Sequence, residues 1–410
     1  MTPIPPAKRR FLLLTLRQSI PQTFFVYGAP YYAQARFGWG PDQIALVVML
    51  SGFFVAIGSY AGGQVAHRTY PERAMRMGIG GAIVGALLGL VATGRAGVPA
   101  LALSTVVVSF MVATVWPAIE AALVSGEPPE SVQNLVGWFN ITWSFGSAVA
   151  FLAVTPLLRV FGLHTIFVLP ALFFLANLLS LRRMAPARPV PASARDVAPH
   201  GEAAARPAVN LTERQRAGYR RLGWIANPTA YVAIMVIVTY NPAIRTRLGL
   251  SFAAASVWCS LWFYVRMAAF DMLRRWTWWH YRWGFLCFTF AMAMASFAAF
   301  VLAPSLPVLL AAQVVFGLSM GLIYQSSLFY SMAGSKAQGA HGGFHECFIG
   351  LGTMTGPLLA YAGAHLAPGV PALPIGLVLA LMSVALAALL GVGLQVLRPA
   401  ARCAAGAGLS

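Results

Sequence analysis

The sequence predicts an all-α membrane protein of twelve transmembrane helices in two pseudo-symmetric six-helix bundles. Composition is the first ground: 59% of the 410 residues are hydrophobic, 9% are charged, and the mean hydropathy is +0.72. Chains of that kind live in lipid. The second is a series of apolar runs, each near the ~20 residues a helix needs to cross roughly 30 Å of hydrocarbon. The third is a duplication of the chain in its two halves.

In the first half the runs lie near 11–33, 43–63, 75–94, 99–123, 132–157 and 164–181. The second set lies near 223–243, 252–271, 284–303, 306–333, 342–366 and 372–397. Between them, residues 182–222 are rich in Pro, Ala and Arg and cannot bury a core. The expected domains are therefore a bundle over 1–181, a cytoplasmic, largely disordered linker over 182–222, and a bundle with a short tail over 223–410. Lys8, Arg9 and Arg10 precede the first run without a small-residue cleavage site behind it, so that run is expected to stay as a helix.

The formal charge of +18 raises nucleic acid as a partner. The 28 Lys and Arg lie mainly between apolar runs, which speaks for topology instead. With the termini inside, Arg36, Arg95, Arg159, Arg245 and Arg247 fall outside and Arg17 and Arg266 within spans, leaving 21 of 28 on the cytoplasmic side. A plasma-membrane protein, bacterial inner membrane in type, with both termini cytoplasmic is expected. Cys259, Cys287, Cys347 and Cys403 have no CxxC spacing, so they read as apolar fillers, not as disulfides or thiolate ligands.

A shift of 205 residues carries Glu120 onto Gln325, Gly137 onto Gly342, Phe139 onto Phe344 and Asn140 onto His345. A shift of 206 superposes Arg68 on Arg274, Arg76 on Arg282 and Gly78 on Gly284. Near-constant offset across separate elements marks a repeat.

Twelve helices in two halves, a long basic linker and a short basic loop between helices 2 and 3 resemble the major facilitator superfamily. The loop pattern of that family is G-x-x-x-D-R-x-G-R-R, and residues 63–73 read GQVAHRTYPER. Gly63, Arg68 and the basic ending at Arg73 fit; His67 stands in place of Asp and Tyr70 in place of Gly. The resemblance implies a gating loop at Gly63, His67, Arg68 and Arg73, and transport of a small-molecule solute by alternating access between the two bundles. No subfamily is indicated.

Ionisable residues inside spans are costly and therefore candidates for function. Glu120 and Glu346 are the acidic residues inside runs, with His345, Arg17 and Arg266 as the other such groups. Glu120 is read either as a proton-titrating or solute-contacting carboxylate, or as an ion pair with a base such as Arg76. His341 and His345 are four apart and share a helix face, while Glu346 points about 100° away. A single histidine pair lacks further ligands, so no metal site is expected. His341 belongs at the cytoplasmic mouth and His345 turns inward as the counterpart of Asn140, offering a proton that exchanges near neutral pH. Arg266 either binds an anion, snorkels beside Asp271, or pairs with Glu346.

Uncharged polar residues complete the cavity. On helix 5, Asn140 and Trp143 are cavity candidates, whereas Gly137 and Ser147 suit close packing. Helix 10 carries Tyr324, Gln325, Ser326, Ser327 and Tyr330 within two turns. The expected solute site is Asn140, Trp143, Tyr324, Gln325, Tyr330 and His345, and the expected proton carriers are Glu120, His345 and Glu346. Gly352 and Gly356 form a GxxxG for a close helix contact.

No phosphate-binding loop occurs, so ATP is not expected to drive the process, and no cofactor is expected. The expected partners are a small polar or amphipathic solute, protons, and membrane lipid around a monomer. The alternatives are an integral-membrane enzyme using buried His and Glu, for which no nucleophile elbow or HExxH is present, and a non-transporting receptor or scaffold of the same fold.

Overall fold

A computed structural model describes residues 4–93, 97–182, 211–251, 254, 258–366, 370 and 372–396. Among them are twelve helices of fifteen residues or more: α1 (Pro6–Phe37), α2 (Pro41–Arg68), α3 (Pro71–Leu88), α4 (Gly97–Val124), α5 (Pro129–Phe161), α6 (Thr165–Arg182), α7 (Glu213–Arg247), α8 (Leu261–Arg275), α9 (Trp283–Leu302), α10 (Leu306–Met332), α11 (Gln338–Leu366) and α12 (Leu373–Val396). No strand occurs among the described residues. Ten of these helices are long and apolar enough to cross a bilayer. The exceptions are α1, whose middle carries Arg17, Gln18, Pro21 and Gln22, and α8, of 15 residues with two arginines in its last turn.

Several boundaries differ from the sequence expectation, and two of the differences have a local cause in side-chain pairing. Helix α7 starts ten residues before 223, because Thr212 and Gln215 form a reciprocal capping box that opens a helix inside the expected linker. Residues 183–210 of that linker lie outside the described residues. Helix α8 runs to Arg275, past the expected 271, its last turn fastened by Asp271 pairing with Arg274 and Arg275.

Helix packing repeats between the halves. In the first, α1 packs on α4, α5 and α6, α2 on α4, and α3 on α4 and α6; in the second, α7 packs on α10, α11 and α12, α8 on α10, and α9 on α10 and α12. Adding six to each first-half helix number produces the second list, which is the physical content of the duplication; α7 on α9 and α2 on α3 are packed pairs outside this correspondence. Between the halves, α2 meets α11 and α5 meets α8, while α4 meets α11 and α5 meets α10. Each of these pairs is the symmetry mate of another.

Small residues set the close approaches. A Cβ on Gly63 would stand 2.5 Å from the Gly343 Cα, and one on Gly52 would stand 2.6 Å from the Met354 nitrogen, so α2 and α11 touch backbone to backbone. Gly356 faces α7 instead, where a Cβ would meet the Met235 Cβ at 2.5 Å. Gly137 serves close packing as expected, its position crowded by the Arg274 side chain of α8. The α5–α8 contacts lie toward the end of the bundle that carries the linker: Gln133 donates to the Leu273 carbonyl at 2.6 Å and to that of Trp276 at 3.1 Å. Among the described residues, α1 and α7 are not one of the closely packed helix pairs.

Candidate functional site

Four residues related by the repeat meet where the halves touch. On one side, Asn140 of α5 donates through Nδ2 to Gln325 Oε1 of α10 at 2.6 Å, and the Trp143 Nε1 donates to Asn140 Oδ1 at 3.1 Å. On the other side the mates of those residues, Glu120 of α4 and His345 of α11, stand together with Glu346. One donor atom from each of Glu120, His345 and Glu346 falls within 4.8 Å of the others. The repeat has thus placed a neutral amide pair at one crossing and titratable groups at its mirror.

The titratable cluster is buried and incompletely partnered. His345 Nδ1 bonds Ser327 Oγ at 2.9 Å, which leaves Nε2 aimed at Glu346 Oε1 at 3.9 Å without a hydrogen bond. Tyr324 donates its hydroxyl to Glu346 Oε1 at 3.3 Å. Among the described residues, the one group that can share a hydrogen bond with the Glu120 carboxyl is the carboxyl of Glu346. Two carboxylates this close in a dry place repel if both are charged, and a proton on either relieves that repulsion. Glu120 makes no ion pair with Arg76, which lies exposed on α3. On the linker side, Glu120 borders a collar of Leu123, Val124, Val136, Phe139, Leu328 and Met332, all apolar.

Helical-wheel geometry separates Glu346 from His345 by about 100°, yet the two meet at Glu120, with which the sequence grouped them as proton carriers. That angle applies at the Cα atoms; both side chains are long enough to converge on Glu120 across the helix crossing. His341 does sit apart, its Nδ1 bonded to Ser335 Oγ at 2.7 Å near the linker end. Glu120, His345 and Glu346 together offer three ligand atoms that could hold a metal ion with a fourth position open, a grouping the histidine pair alone did not suggest.

Tyr324 joins the two crossings. Its ring lies 5.5 Å from Trp143, 5.8 Å from Phe270, 6.2 Å from Tyr231 and 5.1 Å from His345. Asn140, Trp143, Tyr324, Gln325 and His345 are therefore brought together. Tyr330 is not: six residues from Tyr324 it is turned about a third of a revolution away. It packs on Tyr219 and Tyr281 and accepts the Tyr281 N–H at 3.3 Å, inside the second half near the linker end. Tyr219 donates to the Tyr281 carbonyl in the same cluster.

Arg266 is 4% exposed. Its guanidinium carbon lies 5.0 Å from the Trp143 ring, 5.2 Å from Trp262, 4.9 Å from Phe263 and 6.0 Å from Phe270. Its expected acidic partners are occupied elsewhere, Asp271 by Arg274 and Arg275, and Glu346 by Tyr324 and His345. Arg17 bonds Ser180 Oγ at 3.1 Å, away from the crossings. Of the loop residues, Gly63 lies in the α2–α11 crossing, and His67, Arg68 and Arg73 are exposed. Sequence reasoning missed Phe270, Tyr231, Trp262 and Phe263, because aromatic residues in an apolar run carry no mark of facing inward.

The sequence profile of the Major Facilitator Superfamily matches residues 11–341. The chain belongs to that family. Its ten apolar helices and this membership make it a multi-pass membrane protein. The fold is similar to the human organic anion transporter MFSD10 (TETRAN), at TM-score 0.69 and 14% identity over 94% of this chain and 100% of that one. It is similar as well to FucP in the outward conformation, at TM-score 0.68 and 12% identity over 93% and 98%. A third likeness is a bacterial homologue of the iron transporter ferroportin in an outward-facing state, at TM-score 0.68 and 15% identity over 95% and 100%. Identities this low speak for the fold alone. No curated protein matches the sequence.

Proposed function

We propose that the protein is a secondary active transporter that moves a small polar or amphipathic solute by alternating access and couples it to protons through Glu120, His345 and Glu346. The observation that carries this reading is the buried cluster itself, built from both halves at a crossing that alternating access must open. Glu120 comes from the first half and His345 and Glu346 from the second. Opening the linker end separates the carboxylates and hydrates them; closing it drives them together and favours a shared proton. Asn140, Trp143, Tyr324 and Gln325 form the solute-facing surface beside it, and Gly63, His67, Arg68 and Arg73 are assigned to gating at the linker end. The amide pair at the mirror crossing is joined by a neutral hydrogen bond and has no titrating group, which leaves one crossing to sense protons.

Solute uptake into proteoliposomes, with and without an imposed pH gradient, tests the coupling. Glu120→Gln and His345→Gln are expected to abolish uphill accumulation while downhill exchange survives. Equal stimulation by the gradient in wild type and both variants returns these residues to a structural role. The twelve helices are assigned as crossings with both termini and the linker in the cytoplasm, from the distribution of basic residues. A cysteine at Ser193 is expected to react with an impermeant reagent only after permeabilisation; labelling in intact cells reverses the topology.

A further inference from the structure

Among the described residues two arginines are buried outright, Arg266 and Arg274. Arg274 has Asp271 at 2.5 Å. Arg266 forms no ion pair among the described residues, and its Nε has no hydrogen-bond partner. A guanidinium out of water and without a carboxylate is costly, and cation–π contacts return only part of what it loses. The side chain is nevertheless held in place, with four rings around it and the Tyr231 hydroxyl beside it. Tyr27, 45% exposed on α1, lies within electrostatic range of the same guanidinium.

We propose that Arg266 and the rings of Trp143, Trp262, Phe263 and Phe270 receive a solute with one carboxylate and a flat apolar body. This rests on the transporter reading above and names the class of solute. The guanidinium offers a planar fork that matches a carboxylate, and the aromatic faces suit a flat body beside it. Tyr324 and Trp143 stand between this position and the Glu120–Glu346 pair, so the anion and the proton occupy adjoining places without sharing a group. A free ammonium is disfavoured by Arg266 itself, and a neutral amide leaves the guanidinium unpaired.

The test uses the full chain, purified in detergent, with benzoate, phenylacetate and 2-naphthoate, each beside its amide and its amine. Binding is read by thermal stabilisation and by tryptophan quenching, since Trp143 and Trp262 flank the position. The carboxylates are expected to bind roughly tenfold to a hundredfold more tightly than their amides, the size of a charged hydrogen bond. Arg266→Gln is expected to remove that preference, and Arg266→Met to leave the ligand-free protein folded with an equal or higher Tm. The proposal is overturned if no carboxylate binds, if amides or amines bind as well, or if the preference survives Arg266→Gln. It is also overturned if both variants fail to fold, which would make the arginine structural, or if phosphatidylglycerol alone stabilises the protein. Flux in proteoliposomes separates the two ideas. Carboxylate that binds and does not cross leaves the anion site standing and removes transport, whereas a crossing amine without carboxylate binding does the reverse.

Discussion

Replacing Gly63 by alanine is expected to part the two halves at the linker end. The added Cβ would stand 2.5 Å from the Gly343 Cα and 2.7 Å from the Gly339 carbonyl oxygen. Carbon atoms in contact prefer about 3.5–4.0 Å, so α2 and α11 must move by roughly an ångström. Overpacking of this kind costs about 1–3 kcal/mol and alanine returns up to about 1 kcal/mol through helix propensity, so a mid-range overpacking cost of ~2 kcal/mol leaves a net loss of about 1–2 kcal/mol. If the crossing closes only when the linker end is shut, that loss shifts the ratio of shut to open forms by about 5–30-fold. Gly80→Ala is the control: nothing lies within 4 Å of a Cβ there, so α3 is expected to gain about 0.5–1 kcal/mol. Thermal unfolding reads the stability, and spin-label distances between Arg68 and Lys336, both exposed near the linker end, read the separation. A Gly63→Ala protein as stable as wild type, with an unchanged distance distribution, would refute the backbone contact.

Asn140→Leu removes the donor to Gln325 Oε1 and leaves that buried amide unpaired, with an expected cost of about 1–3 kcal/mol. The double variant Asn140→Leu with Gln325→Leu is expected to lose less than the two single losses added, as a double-mutant cycle of melts will show; additivity would mean the pair does not interact. His280, between α8 and α9, is stacked on Phe329 at 4.3 Å and is pushed by burial from 6.5 down to about 4. The unfolded chain therefore takes up a proton near pH 6.5 that the folded one refuses until about pH 4. Stability is full above pH 6.5 and falls as pH drops through that window, by at most about 3 kcal/mol. His280→Phe is expected to flatten this part of the stability profile, and an unchanged slope would place the effect elsewhere.

Composition and apolar run length determined that the chain is a helical membrane protein, because lipid leaves the backbone few other ways to satisfy its hydrogen bonds. The repeat was also legible: the offset that carries Glu120 onto Gln325 and Asn140 onto His345 is realised as two mirrored helix crossings. The costly residues could be picked out one by one, since charge inside an apolar run is visible in a linear sequence. Their partners could not be. Glu120 and Glu346 are 226 positions apart, and only the packing of α4 on α11 brings them together, where sequence reasoning offered Arg76 as a partner. The same limit explains Tyr330, which shares two turns with Tyr324 but belongs to another cluster, and the rings around Arg266. Periodicity fixes the direction of a side chain about its own helix axis; which neighbour lies in that direction depends on how the helices cross.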